Sequence, residues 1–429
     1  MLKTSLNMIS EYGNSNRIGI ITIMFLFILV VSFLKPHPDL LSLWLATFGG
    51  DIIILATSFF LVIMLPSFRF RPSFLKIFIF QIVAVCLLVT ALYLSGLFVS
   101  YSETLDGLTD IVRISYYLLF FFIVNQAFSI KLIDLKSVLK LIDFTFIINV
   151  IVVLCQLFDP PILGDFTQII FGSVKLRSIF SGYPRVYGTY FNANWFGVYL
   201  VFLITWWISL TKNAKKNLKR KFSLRILVAT ILILLSGSRT AGVGLFCAVT
   251  FLSFIQKRIK LFSFILILLI LLYLTTLIIF TTNSMLSRTL LRFFMLRDAI
   301  AQRDLMTIRS FEARTNTWSE AFELLRNRKN AWVVGLGGYS VTDNTFVRIM
   351  AVYGIIGIFA LVLFFVPAFV IVSKKIRLNV FAECFYAFSF SLLVMMITAE
   401  FFFTTQIMSI WILLLSITLN FSTEDFANI

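Results

Sequence analysis

Long apolar runs constrain this chain more than any other feature. Residues 18–34, 77–94, 141–157 and 261–280 are almost entirely hydrophobic. At a rise of about 1.5 Å per residue, each run is long enough to cross most or all of a hydrocarbon layer about 30 Å thick. Only 13% of the residues are charged, which is too few to cover a soluble globule. The sequence therefore predicts an integral membrane protein, and helices are expected because a helix satisfies its own backbone in lipid.

The apolar runs divide the chain into twelve predicted membrane helices, near residues 18–34, 50–66, 76–96, 110–128, 138–157, 193–211, 225–237, 240–256, 261–281, 345–373, 379–399 and 405–421. We expect an all-α polytopic membrane protein that forms a single integral membrane domain over residues 1–429. Two long connections stand out, at 158–192 and 282–344. The second is longer than a helix bundle needs, and apolar residues at helical spacing predict an amphipathic surface helix within it at 312–328.

Basic residues are divided unequally between the two sides of this predicted membrane. More than half of the 37 Lys and Arg residues fall in the N-terminal segment and in every second connection, including the cluster from Lys212 to Arg225. This pattern follows the positive-inside rule and predicts that these segments are cytoplasmic. Membrane topology thus accounts for the net charge of +17, and no nucleic acid partner is expected. The connections on the other side favour Arg, whose planar guanidinium pairs bidentately with phosphate.

Three polar stretches on the side opposite the lysines are candidates for chemistry. The first precedes the predicted helix at 193–211, the second is a tight turn between two apolar spans, and the third leads through a glycine-rich segment into the helix at 345–373. Their candidate residues are Arg177, Arg185 and Asn194 in the first stretch, Arg239 in the second, and Arg314, Asp343, Asn344 and Arg348 in the third.

These stretches resemble the O-antigen ligase and polymerase superfamily. The similar residues are R-x-x-G-x-x-x-N-x-N before a helix, S-G-S-R-T-A at a tight turn, and R-x-x-x-W followed by G-x-G and an asparagine ahead of a G-I-I-G helix. Members of that superfamily are glycosyltransferases of the bacterial inner (plasma) membrane that move polyprenyl-pyrophosphate-linked glycans on the periplasmic side. The resemblance is firmest over residues 177–360. It implies a multi-pass protein whose active site faces the periplasm, with 158–192 and 282–344 as periplasmic loops, the larger one partly helical.

Two features within this resemblance favour a polymerase over a ligase. Polymerases of the superfamily are described by an R-x10-G spacing in two periplasmic loops, which Arg177 with Gly188 and Arg326 with Gly337 reproduce. Ligases carry a histidine immediately before the asparagine of the third stretch, where this chain has Asp343. A polymerase joins undecaprenyl-pyrophosphate-linked oligosaccharide repeat units, whereas a ligase transfers glycan to the lipid A core. Both functions remain open, with the polymerase favoured.

The reaction that the resemblance implies is attack of a sugar hydroxyl on an anomeric carbon that carries undecaprenyl pyrophosphate. Guanidinium groups held in place can bind that leaving group and stabilise its developing charge, so we expect neither a metal nor another cofactor. The predicted substrate-binding residues are Arg177, Arg185, Arg239, Arg314, Arg348, Asn194 and Asn344. Asp343 is the predicted catalytic base, and Glu320, Glu103 and Asp110 are alternatives on the same face.

Each assignment competes with a purely structural alternative. The arginines of the first two stretches fit side chains that extend to lipid headgroups, and Arg348 fits an interfacial anchor at the start of its helix. Asp343 fits the N-cap of that same helix. Asp110 and Arg113 are three residues apart, which fits a local ion pair.

The strongest alternative from another class is a twelve-helix transporter, because the basic cluster after residue 211 divides the predicted spans six and six. A secondary carrier is expected to show repeated halves and polar or broken helices near the bilayer midplane. We find no such repeat in the sequence, and the polar stretches gather on one face. As a polymerase, the chain would act on undecaprenyl-pyrophosphate-linked glycans among membrane lipids, with the chain-length regulator and the flippase of the same pathway as candidate protein partners.

Overall fold

The computed structural model describes residues 71–98, 104–158, 160, 162–165, 167, 185–190, 192–257, 309–339 and 343–427. These residues form helices, and none of them lies in a β-strand. The helices are α1 (Pro72–Phe98), α2 (Thr104–Ser129), α3 (Leu135–Phe158), α4 (Ala193–Thr211), α5 (Lys216–Ser236), α6 (Arg239–Ile255), α7 (Arg309–Asn327), α8 (Ala331–Val334), α9 (Thr345–Ser373), α10 (Val380–Met395), α11 (Thr405–Asn420) and α12 (Thr423–Ala427). Among the described residues, α1, α2, α3, α4 and α9 are long and apolar enough to cross a membrane.

Each predicted span that falls on described residues coincides with one helix over most of its length. The predicted spans at 18–34, 50–66 and 261–281 lie outside the described residues, as does most of the predicted loop at 158–192. The span predicted at 379–399 is too long, because α10 ends at Met395 and residues 396–404 form an irregular connection to α11. Helix α7 covers the predicted amphipathic helix at 312–328 except for its last residue.

One end of the helix bundle gathers residues of the lysine-rich segments; we call it the basic end. Here the start of α1 meets the end of α11, where Arg71 Nη1 donates to the carbonyl oxygen of Leu419 at 2.9 Å. The end of α4 meets the start of α10, where Lys212 Nζ lies 2.5 Å from Glu383 Oε1. The end of α6 joins the same carboxylate, since Gln256 Nε2 donates to Glu383 Oε2 at 2.7 Å. The sequence predicts that every second connection lies on the lysine-rich side, and the helix ends that meet here adjoin those connections.

Helices α4 and α11 lie at the centre of the bundle. Helix α4 packs against α5, α6, α10 and α11, while α11 also packs against α2 and α9. Their large side chains are buried together with those of α10: Trp206 of α4 stacks on Phe381 at 5.6 Å between ring centroids, and Trp411 of α11 donates its indole N–H to Ser389 Oγ at 2.8 Å. This central packing holds the starts of α4 and α6 and the connection 396–404 beside one another.

Helix α9 is broken at Gly354, whose φ of 64° and ψ of −157° are not helical. Near the break, the carbonyl oxygens of Ala351 and Val352 accept hydrogen bonds from the backbone N–H groups of Leu336 and Gly337, at 2.8 and 3.0 Å. The glycine-rich segment thus completes the backbone bonding of a broken helix. Only glycine suits position 354, because its φ is positive and a Cβ there would meet the backbone of α8.

Candidate functional site

The described candidate residues collect at the end of the bundle opposite the basic end. We call this the polar end and define it by the starts of α4, α6 and α9 together with the connection 396–404. The three helices begin after the N-caps Asn192, Ser238 and Asn344, each of which accepts a hydrogen bond from a backbone N–H of its own helix. A helix N-terminus carries partial positive charge and backbone N–H donors, so three N-termini at one end favour an anionic ligand.

Arg185 joins the first polar stretch to the second. Its Nε donates to the carbonyl oxygen of Ser236 at 2.8 Å, and its Nη2 donates to Asn194 Oδ1 at 3.0 Å. Ser238 Oγ donates to the same amide oxygen, also at 3.0 Å. Arg185 is half-buried in these contacts, so the alternative of a side chain extended towards headgroups does not describe it. Asn194 acts as the acceptor that ties both stretches together.

Arg239 is the first residue of α6, directly beside this junction, and its side chain is half-buried. The next residue, Thr240, shares a hydrogen bond with Thr398 of the connection 396–404, with 2.9 Å between the two hydroxyl oxygens. The second polar stretch therefore contacts the first stretch on one side and the connection on the other.

Asp343 of the third stretch pairs with Arg314 of α7, with 3.2 Å between Nε and Oδ2. Its carboxylate side chain is 66% exposed. Asn344, not Asp343, caps α9, because Asn344 Oδ1 accepts the backbone N–H groups of Phe346 and Val347 at 2.9 and 3.1 Å. The capping alternative for Asp343 is therefore wrong, and its predicted role as catalytic base stays a prediction.

Arg348 is held by two carboxylates from distant parts of the chain. Its Nε and Nη2 donate to the two oxygens of Asp110 at 3.1 and 2.9 Å, and its Nη1 donates to Glu400 Oε2 at 2.6 Å. Its guanidinium carbon also lies 4.8 Å from the ring centroid of Phe403. Arg348 is only 8% exposed, so the interfacial-anchor alternative does not describe it. The predicted ion pair between Asp110 and Arg113 is present at 3.6 Å, but Asp110 makes its closer contacts with Arg348.

The connection 396–404 was not predicted as part of the site, yet it contacts the third stretch as well as the second. Thr345 donates its backbone N–H to the carbonyl oxygen of Met396 at 3.0 Å and its hydroxyl to that of Ala399 at 2.9 Å. Glu400 of this connection is the residue that sequence reasoning missed. A signal existed: Glu400 and Glu383 are the only charged residues between Arg377 and Glu424. A lone carboxylate within such apolar sequence is a candidate functional residue.

Other predicted residues lie outside this cluster or outside the described residues. Arg177 and Glu103 fall in the undescribed part. Glu320 is exposed on α7. Of the R-x10-G pair in the second loop, Arg326 is exposed on α7, whereas Gly337 is buried against α9.

Arg185, Arg239 and Arg348 thus lie at one end of the bundle. Arg314 of α7 contacts this end through its ion pair with Asp343. No model of a known protein family matches this chain, and no curated protein matches it in sequence. Its function is therefore inferred from the chemistry of the polar end and from the motif resemblance described above.

Proposed function

We propose that this protein is a polymerase of O-antigen or a related polysaccharide, a membrane glycosyltransferase that joins undecaprenyl-pyrophosphate-linked oligosaccharide repeat units. The observation that carries the proposal is the joining of three polar, arginine-bearing stretches at the end of the bundle opposite the basic end. The twelve-helix layout, the periplasmic loops at 158–192 and 282–344 and the bacterial inner membrane belong to the same proposal. The basic end then faces the cytoplasm, and the polar end faces the periplasm.

The polar end offers what a diphosphate leaving group needs. Arg185, Arg239 and Arg314 supply guanidinium donors, and the three helix N-termini add oriented backbone dipoles. Arg177 of the first stretch is proposed as a further ligand. Charged and dipolar groups that are already in position stabilise developing charge without reorganising during the reaction. Such a site can promote departure of undecaprenyl pyrophosphate without a metal.

Two alternatives make different demands on the same residues. A ligase would use a histidine where this chain has Asp343. A carrier would use broken helices to expose carbonyl oxygens to a transported ion or solute. At the break in α9, the carbonyl oxygens of Ala351 and Val352 instead accept hydrogen bonds from the segment that precedes the helix. The absence of that histidine at position 343 and the hydrogen-bonded carbonyl oxygens at the break therefore favour the polymerase over the ligase and the carrier.

The direct test is glycan extension by the purified full-length protein in liposomes that contain an undecaprenyl-pyrophosphate-linked repeat unit. We expect the wild-type protein to convert single units into a ladder of longer glycans. Arg239→Ala and Arg314→Ala should each slow extension by about 100-fold or more, the loss typical of removing a group that stabilises transition-state charge. Arg220→Ala is the matched control, because Arg220 is exposed near the basic end.

Three outcomes would refute the proposal. Transport of the glycan across the liposome membrane by the wild-type protein, without extension, would establish a carrier. Accumulation of long unattached polymer in a strain without the gene would establish a ligase, whereas single attached repeat units are expected for a polymerase. Finally, glycans of wild-type length from both Arg239→Ala and Arg314→Ala would show that the polar end takes no part in the reaction.

A further inference from the structure

We propose that Glu400 accepts the proton of the acceptor hydroxyl, and that Arg348 and Asp110 hold its carboxylate in position. This inference rests on the proposed glycosyltransferase function and adds to it a catalytic residue that neither the motifs nor the resemblance assigned. It makes Arg348 a positioning residue, which acts through Glu400, in place of the substrate ligand predicted from sequence.

The place of Glu400 in the fold is the first argument. Its connection, residues 396–404, is bonded to the second stretch through Thr398 and Thr240 and to the third through Ala399 and Thr345. Glu400 follows directly after these two contacts in the chain. Its connection therefore holds Glu400 beside the second and third stretches, and its carboxylate contacts Arg348 of the third stretch directly.

The second argument is the way in which the carboxylate is held. Arg348 Nη1 donates to Glu400 Oε2 at 2.6 Å, and the other side of the same guanidinium is fixed by both oxygens of Asp110. Phe403 packs on the guanidinium, and Thr404 Oγ1 donates to the backbone carbonyl of Glu400 at 2.9 Å. A catalytic group is effective when its orientation is set by such supporting contacts before the substrate binds.

Accessibility separates Glu400 from the other carboxylates of the polar end. Asp110 has a side chain with 0% exposure, so it cannot meet a substrate in this structure. The side chain of Glu400 is 24% exposed, which is enough for contact with a bound hydroxyl. Asp343 is 66% exposed and has a single described ion pair at 3.2 Å, so its position is less well determined. Glu400 combines access with a defined orientation.

The reaction step balances with the groups named. The oxygen of the acceptor hydroxyl forms a bond with the anomeric carbon of the donor sugar as the bond from that carbon to the phosphate oxygen breaks. The bonding electron pair leaves with undecaprenyl pyrophosphate, whose charge the arginines and helix N-termini stabilise. The hydroxyl proton passes to a carboxylate oxygen of Glu400 and is then released to water.

Glu400→Gln is the decisive variant, because glutamine keeps an oxygen that can accept from Arg348 but cannot take up the proton. In the extension assay we expect its kcat to fall by about 100-fold to 10,000-fold, the range for loss of a general base, with little change in KM for either glycan. Glu400→Ala should be inactive and should regain activity when formate is added as a replacement carboxylate. Glu424→Gln is the control, since Glu424 is exposed in α12, which follows α11 at the basic end.

Arg348→Lys separates positioning from substrate binding. Lysine keeps the positive charge but loses the planar fork that spans Asp110 and Glu400. A positioning role predicts a lower kcat with an unchanged KM for the donor, whereas a direct phosphate ligand predicts a raised donor KM.

Several results would overturn the role of Glu400. The first two are turnover at the wild-type rate by Glu400→Gln, and a loss of turnover that occurs in Asp343→Asn but not in Glu400→Gln. The other two are a raised KM for the donor in Arg348→Lys with unchanged kcat, and failure of formate to restore the activity of a Glu400→Ala variant that is shown to be folded. Failure of the wild-type protein to extend glycan would instead refute the proposed function. The two failures are therefore distinguishable in one set of measurements.

Discussion

The ion pair between Asp110 and Arg348 gives a test that does not depend on any assumed activity. Asp110→Ala removes a carboxylate whose side chain has 0% exposure and which receives two hydrogen bonds from Arg348. The guanidinium, itself nearly buried, would keep only Glu400 as a described carboxylate partner. The perturbation therefore leaves a buried charge half-compensated.

The size of the effect follows from this geometry. Removing one partner of a buried pair typically costs about 3–5 kcal/mol, and the retained contact with Glu400 places the expected loss near the lower value, about 3 kcal/mol. A loss of that size lowers the folding equilibrium constant by about 100-fold. The ion pair between Asp143 and Arg225 is the matched control, with a contact of 2.7 Å but side chains that are 33% and 24% exposed. For Asp143→Ala we expect about 0–1 kcal/mol, as for other accessible pairs.

The assay is reversible unfolding of the full chain in mixed micelles, with helicity followed by circular dichroism as denaturing detergent is added. A double-mutant cycle with Asp110→Ala and Arg348→Met should give a coupling energy of about 2 kcal/mol or more between the two residues. The reasoning is refuted if the coupling is near zero, or if Asp110→Ala is no more destabilising than Asp143→Ala.

Two further variants test the backbone break and the junction of the first two stretches. Gly354→Ala should destabilise the protein by about 1–3 kcal/mol, because alanine is strained at this positive φ. Gly96→Ala is the control and should not destabilise it, since nothing lies within 4 Å of a Cβ added there. Equal melting temperatures of the two variants in detergent would contradict this expectation. Asn194→Ala removes the acceptor shared by Arg185 and Ser238 and should cost about 1–3 kcal/mol and slow glycan extension. Unchanged stability and extension would show that the junction is unimportant.

Helix positions could be predicted from sequence where hydrophobicity and capping agree. The spans at 193–211 and 345–373 were predicted from hydrophobicity with the observed bounds, and in the structure an asparagine caps the start of each helix. By contrast, α5 begins at Lys216, well before the predicted 225. Hydropathy counts its basic residues against a membrane helix, although lysine and arginine are good helix formers and most of these side chains are exposed.

The candidate site was predicted only where its residues belong to recognisable local patterns. Arg185, Arg239 and Arg314 stand out as cations in polar segments near apolar spans. The pairing of Arg348 with Asp110 joins residues 238 positions apart, and no local spacing encodes it. Glu400 was missed because residues 379–399 read as one continuous helix, whereas the helix ends at Met395. The break in α9 was missed for a similar reason, since its hydrogen-bonding partners come from outside the helix.

The break in α9 also constrains the order in which the protein can be assembled. A transmembrane helix with a gap in its hydrogen-bond ladder is poorly suited to lipid by itself, because its exposed carbonyls would face hydrocarbon. The residues that cover two of these carbonyls, Leu336 and Gly337, precede α9 in the chain and are therefore synthesised before it. We expect this stretch to dock as α9 enters the membrane, so that the glycine-rich segment and the helix are inserted as one folding unit.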